Sequence, residues 1–296
     1  MTPEIWFVNL GIQIEKLDRV AFSIFGFDVY WYGIIIGLGV FLGLMTAQHY
    51  AKAVGYTADM CFDFLIYAII TSLIGARTYY VIFAWDKFKD DYSKIFALRD
   101  GGIAIYGAII ASVITAIVYT RIHKLNFFRF GDIGVLGLNV GQIIGRWGNF
   151  VNREAFGGYT DNIFALRYIK EQAKNLTPDI LEHIVSVNGT EYIQVHPTFL
   201  YESLWNLGLF AILHMYKKHK AFDGELILIY FIGYGIGRFW IEGLRTDQLI
   251  IGHTGIAVSQ VLSAVIVIVC VIIMILCRYR VNKSKAVTEQ DSDKEI

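Results

Sequence analysis

The sequence predicts an all-α polytopic membrane protein, with seven transmembrane helices and a small extracytoplasmic head between helices 4 and 5. Three observations predict it. Of the 296 residues, 55% are hydrophobic and 18% charged, and the mean hydropathy is +0.50, whereas a soluble domain has less apolar content broken by more charge. Seven predominantly apolar runs follow one another along the chain, each of roughly 20 residues, the length that crosses a hydrocarbon core of about 30 Å. Basic residues gather in alternate connections, as in a chain threaded back and forth through a bilayer. Formal net charge is zero, so nothing in the whole-chain balance points to a nucleic-acid partner.

Residues 1–29 read as an extracytoplasmic N-terminal segment. They lack a basic stretch followed by a continuous apolar run and a small-residue cleavage site, so no removed signal peptide is expected. Helices 1 to 4 are expected near 30–50, 62–85, 103–121 and 131–150, within a transmembrane block spanning 30–150. The segment 151–196 holds short alternating pieces, FALRYI and EYIQV, and forms the head. Helices 5 to 7 are expected near 197–216, 224–243 and 254–277, in a second block spanning 197–280; the remainder, 281–296, ends TEQDSDKEI and reads as a disordered cytoplasmic tail. Arg121, His123, Lys124 and Arg129, then Lys217, Lys218 and Lys220, then Arg278, Arg280, Lys283 and Lys285 are cytoplasmic by the positive-inside rule, which puts the N-terminus outside and the C-terminus inside. The loop from Asp86 to Asp100 mixes Lys87, Lys89, Lys94 and Arg99 with acids, and parity places it outside. Cys61, Cys270 and Cys277 show neither metal-ligand spacing nor a disulfide framework. There is no internal repeat.

This topology brings polar residues of separate helices to one depth in the outer half of the bilayer. Gly145 to Gly157, GRWGNFVNREAFG, follows an apolar run, yet carries Arg146, Asn149 and Arg153 at i, i+3 and i+7 of a continuing helix. To the same level come Tyr32 of helix 1, Tyr106 of helix 3, His196, Tyr201 and Glu202 of HPTFLYE, and Arg238, Glu242 and Arg245; Arg77 lies about two turns below the end of helix 2. Each has a plainer alternative. Arg238 and Glu242, at i, i+4, fit a self-neutralising pair; Arg77 fits an arginine that snorkels or ties loops; His196 before Pro197 fits a helix entry; Tyr32 beside Trp31 fits an aromatic belt. Arginine's planar fork matches a phosphate, and in a low-dielectric site it stabilises the charge of a departing phosphate ester. The sequence shows no metal-ligand cluster, no nucleophile elbow, no phosphate loop and no sign of a cofactor. The residues thus describe an outward-facing site for an anionic lipid and leave reaction, transport or simple lipid binding open, although little that is polar lies below this depth except Arg77.

GRWGNFVNREAFG, together with GGIAIYG, HPTFLYE and GRFWIEGLR, resembles the bacterial prolipoprotein diacylglyceryl transferase family, from VYWYG at residue 29 to the last helix. The resemblance implies an enzyme of the bacterial cytoplasmic membrane whose substrates are phosphatidylglycerol and the lipobox cysteine of a preprolipoprotein. It implies that Arg146 contacts the lipid head group, and it maps the family's signature residues to Asn149, Glu154, Tyr32, Arg238 and Glu242. On this reading Arg146 and Arg238 hold the phosphate, Glu242 orients Arg238, Asn149 and Tyr106 position the head group, and Glu154, Tyr32 and Glu202 complete the binding site. Two departures stand out: Tyr106 occupies a position where many members carry histidine, and Arg153 one where they carry glycine.

Overall fold

The computed structural model describes residues 2–97, 101–252 and 254–292, with side chains up to Lys285. Arg99 and Asp100 of the 86–100 loop, and residues 293–296 of the expected tail, lie outside the described residues. In chain order the elements are β1 (Ile5–Phe7), β2 (Ile12–Ile14), β3 (Val20–Ile24), β4 (Phe27–Tyr30), α1 (Trp31–Ala53), α2 (Ala58–Phe83), α3 (Ile105–Ile122) and α4 (Phe127–Asn152), then β5 (Leu166–Ile169), α5 (Pro178–Glu182), β6 (Val185–Val187), β7 (Thr190–Val195), α6 (Thr198–Tyr216), α7 (Glu225–Glu242) and α8 (Val258–Ser292).

Each expected apolar run contains a long helix, with boundaries moved for local reasons. The fourth starts at Phe127 because Asn126 Oδ1 accepts the Arg129 N–H at 3.0 Å, an N-cap that lies outside the apolar stretch. The last continues past Arg280 to Ser292, where the sequence reads as disordered. Its extension mixes lysine, alanine, glutamate and glutamine with weaker helix formers, but prolonging an existing helix avoids the cost of nucleation. Among the described residues, α1, α2, α3 and Val258–Lys285 of α8 are long and apolar enough to cross a membrane. They leave large apolar side chains such as Ile70, Ile74, Ile110, Ile268 and Ile275 exposed, a surface suited to lipid. Helices α4, α6 and α7 have 26, 19 and 18 residues, so even the shortest reaches about 27 Å at 1.5 Å per residue. They carry Arg146, Glu202, Glu225, Arg238 and Glu242, and composition alone does not mark them as spans.

The chain divides into two compact units, residues 44–134 and residues 1–43 with 135–296. In the first, α2 and α3 lie against each other at Gly75 and Gly107, where a Cβ on Gly107 would stand 2.3 Å from the Gly75 carbonyl oxygen. Hydroxyl pairs Thr71–Thr115 and Ser72–Ser112, each at 2.7 Å, link the same two helices. Arg77 proves to be the loop-tying arginine. Buried on α2, it donates to the carbonyls of Ile95 (2.8 Å), Gly101 (2.6 Å), Gly102 (2.7 Å), Lys94 (2.5 Å) and Ala97 (3.3 Å), and so gathers the connection that leads into α3. Arg77→Met is expected to leave those carbonyls without their donor at a cost of about 3 kcal/mol. The readout is a lower thermal midpoint in detergent together with faster tryptic cleavage after Lys87, Lys89 or Lys94; unchanged cleavage would count against the clamp.

In the second unit a five-stranded antiparallel sheet has the order β2-β1-β5-β7-β6, with Ile5 opposite Tyr168 and Leu166 opposite Val195. The pieces FALRYI and EYIQV supply β5 and β7. The N-terminal residues, expected to be a separate segment, supply β1 and β2 of the same sheet. Its apolar face, with Ile5, Leu166, Tyr168, Ile193 and Val195, packs on Phe150 and Val151 at the end of α4 and on Phe199 at the start of α6. The sheet core thereby fixes the ends of the two helices that carry Arg146 and Glu202. Deeper down, α1 approaches α4 through glycine, a Cβ on Gly43 standing 2.6 Å from the Gly137 oxygen.

Candidate functional site

The site grows from the end of α4. Gly148 has no side chain there, and the ring of Tyr32 fills the space, so that a Cβ would stand 2.8 Å from Tyr32 Cδ2. On the α6 side, Trp147 Nε1 donates to Ser203 Oγ at 3.3 Å, and Ser203 Oγ donates to the Ile143 carbonyl at 2.9 Å. These contacts leave Arg146 facing Glu202. Its Nη2 lies 2.6 Å from Glu202 Oε2, while Arg238 Nη1 of α7 donates to Glu202 Oε1 at 3.1 Å. The two arginines therefore sit on the two oxygens of one carboxylate, which is only 4% exposed.

The network extends past α7. Arg238 Nη2 pairs with Glu242 Oε2. Arg245 approaches Glu202 Oε1 at 3.6 Å and Glu242 Oε2 at 3.8 Å, and its fork closes on Asp247 at 2.9 and 2.8 Å. Burial pushes the Asp247 carboxyl up, but its bonds with Arg245 outweigh this and hold it below the ordinary carboxylate value. Arg146, Arg238 and Arg245 thus stand against Glu202, Glu242 and Asp247, three charges against three. In a site largely screened from water such balance is required, because one uncompensated charge costs several kcal/mol. An arriving anion would compete with these carboxylates for guanidinium donors already aimed at it.

Asn149 and Asn152 both donate to Glu154 Oε1, at 3.4 and 3.1 Å. The chain reverses here, with Arg153 at φ 53° and Ala155 at φ 57°. Positive φ explains why glycine suits position 153. Arginine keeps that conformation here because its buried guanidinium is held by Glu4 Oε2 at 2.7 Å and the Leu17 carbonyl at 2.8 Å. Beside it opens a cavity of about 700 Å³ lined by Glu4, Asp18, Arg19, Glu171 and Lys174 among others. His196, as expected of a helix-entry residue, bonds through its backbone to Gly157 and Gly158, and its Nδ1 lies 3.2 Å from the Tyr201 hydroxyl. Burial lowers the pKa of its imidazole.

The structure gathers Arg146, Glu202, Arg238 and Glu242 into one ion network, with Tyr32 packed beside Arg146's helix and Asn149 bonded to Glu154. Tyr106 belongs to the other unit, in the first turn of α3, with its ring 6.4 Å from that of Tyr79. Sequence reasoning placed Arg245 at this level but left it out of the site. Its signal was available, three residues after Glu242 on the same turn, whereas Asp247 follows the helix and has no periodic signal. The expectation that little polar lies below the arginines is corrected. Asn139 and Gln142 continue down the same face of α4, Asn206 down α6, and Gln142 accepts the Tyr230 hydroxyl at 3.0 Å. Of these, Gln142 ties α4 to α7 through Tyr230, as polar side chains between membrane helices do, whereas Asn139 and Asn206 are buried with amide atoms that make no hydrogen bond to the described residues.

The family model for prolipoprotein diacylglyceryl transferase matches residues 19–276. The chain is 43% identical over 269 residues to a protein of Finegoldia magna, covering 90% of this chain and 99% of that one. It is 42% identical over 252 residues to one of Clostridioides difficile, covering 85% and 92%. To one of Listeria monocytogenes it is 42% identical over 273 residues, covering 92% and 94%. All three relatives carry the name phosphatidylglycerol–prolipoprotein diacylglyceryl transferase.

Proposed function

The chain belongs to the prolipoprotein diacylglyceryl transferase family, and from that premise we propose that it transfers the diacylglyceryl group of phosphatidylglycerol to the lipobox cysteine of preprolipoproteins, the first step of bacterial lipoprotein maturation. The thiolate attacks the terminal glyceryl carbon. A carbon–sulfur bond forms, the carbon–oxygen bond to phosphate breaks, the electron pair leaves as glycerol phosphate, and the thiol proton is released.

One observation carries the assignment of residues: Arg146 and Arg238 share the Glu202 carboxylate. Two guanidinium groups held by a common carboxylate are spaced to receive the oxygens of one phosphate. Glu242 fixes Arg238, and the developing charge on the departing phosphate meets donors oriented before the reaction begins. The same positive groups favour thiolate over thiol, since a free cysteine has pKa about 8.5 and is only a few per cent ionised at neutral pH. Asn149, Glu154 and Tyr32 position the head group, and Glu202 sets the arginine spacing.

The topology that accompanies this reading has seven spans in the bacterial cytoplasmic membrane, the N-terminus outside and the C-terminus inside. Residues 1–29 and 151–196 lie on the extracytoplasmic side, and joining of β1 and β2 with the 151–196 strands in one body is supported by the pairing of β1 with β5. Purified protein in detergent with phosphatidylglycerol and a lipobox peptide tests the reaction. Mass spectrometry should find the peptide heavier by one diacylglyceryl group and glycerol phosphate released in equal amount; an unmodified peptide would sink the proposal.

A further inference from the structure

The hairpin formed by β3 and β4 has no counterpart in the site. Phe25 and Gly26 make its two-residue turn, with φ 50° and 82°, the left-handed pair that matches the twist of an antiparallel ribbon. Its register places Phe22 opposite Val29 and Ile24 opposite Phe27, so these four share one face. Ser23 and Asp28 share the other, where Ser23 Oγ donates to Asp28 Oδ1 at 2.6 Å. The apolar face is bare: Phe22 and Ile24 are each 49% exposed, Phe27 69%, and the tip residue Phe25 98%. A bare two-stranded ribbon with such a face would be marginal in water, and exposed aromatics of this kind mark an interaction surface.

Continuity of the chain indicates what covers it. β4 ends at Tyr30 and α1 begins at Trp31 with no linker, and the Trp31 N–H donates to the Arg19 carbonyl at 3.0 Å, closing the base of the hairpin on the first residue of the helix. α1 is long and apolar enough to cross a membrane. The hairpin therefore starts at the level where that helix meets the head groups, beside the exposed rings of Tyr30, Trp31 and Tyr32. Aromatic side chains favour this boundary, where apolar bodies reach acyl chains and polar groups stay wet.

We propose that the β3–β4 hairpin is an interfacial anchor, lying along the bilayer with Phe22, Ile24, Phe25 and Phe27 in the upper acyl region and Ser23 and Asp28 toward water. The inference depends on α1 spanning the membrane and not on the chemistry assigned to the arginines.

The test uses full-length protein lacking Cys61, Cys270 and Cys277, checked for retained transferase activity and reconstituted in phosphatidylglycerol-containing vesicles. One cysteine carrying an environment-sensitive fluorophore is introduced at Phe25 or Phe27, with exposed Asn188 in the β6–β7 turn as the aqueous reference. Aqueous iodide is expected to quench the label at residue 25 or 27 at least about 3-fold less than at 188, and a lipid with a nitroxide high on its acyl chain should quench it preferentially, as for other shallowly inserted apolar elements. Phe25 is almost wholly exposed, so its label does not disturb packing. Equal iodide quenching at 25 and 188 would overturn the anchor. So would protection that appears only on adding a lipobox peptide, which would make the substrate the occupant, or only at high protein-to-lipid ratio, which would indicate a second copy.

Discussion

Arg238→Gln should reduce diacylglyceryl transfer by about 10²- to 10³-fold, the loss typical when one preorganised donor to developing charge is removed. Glutamine retains a hydrogen-bonding amide, but not the charge or the fork that reaches Glu202 and Glu242 at once. The protein should still insert and purify, because α7 keeps its length and its packing. Single-turnover kinetics with the lipobox peptide separates chemistry from lipid binding; a wild-type rate would remove Arg238 from the mechanism. Arg238→Lys should remain strongly impaired, since a point charge cannot engage two carboxylates with the same geometry.

The second large effect concerns Glu202, and stability is its first readout. Arg146, Arg238 and Arg245 all approach this one carboxylate. Glu202→Gln leaves the three cations facing a neutral amide, and breaking a buried ion pair from one side costs about 3–5 kcal/mol. Thermal unfolding in neutral detergent should therefore begin well below the wild-type midpoint. Phosphatidylglycerol, which brings a negative phosphate to the same guanidinium groups, should restore more of the midpoint in this variant than in wild type; phosphatidylcholine, whose head group is neutral overall, should restore less. If the variant is as stable as wild type in neutral detergent, Glu202 is not the hub of the arginine cluster.

The long helices were legible because each grows from a predominantly apolar run, although among the described residues composition marks only α1, α2, α3 and α8 as long and apolar enough to cross lipid; Arg146, Glu202, Arg238 and Glu242 stood out because charge within apolar stretches is costly. The sheet was legible only by halves. FALRYI and EYIQV alternate clearly, but Ile5–Phe7 is three residues long and pairs with Leu166–Ile169 far along the chain. No local pattern announces such a partner. Arg153 shows the same limit, for its counter-ion is Glu4, near the start of the sequence and 149 residues away. The extension of α8 escaped notice because polar composition suits both a solvated tail and an exposed helix.

The strand order β2-β1-β5-β7-β6 also bears on biogenesis. The first strand to leave the ribosome lies inside the sheet, between its own hairpin partner and a strand made only after α1 to α4. Residues 5–14 must therefore wait, unpaired on one edge, while four helices are synthesised, and closure over so long a separation is slow. The newborn enzyme completes this sheet late, when residues 5–7 meet residues 166–168, and only then is Arg153 locked by Glu4 beside the helix end that carries Asn149.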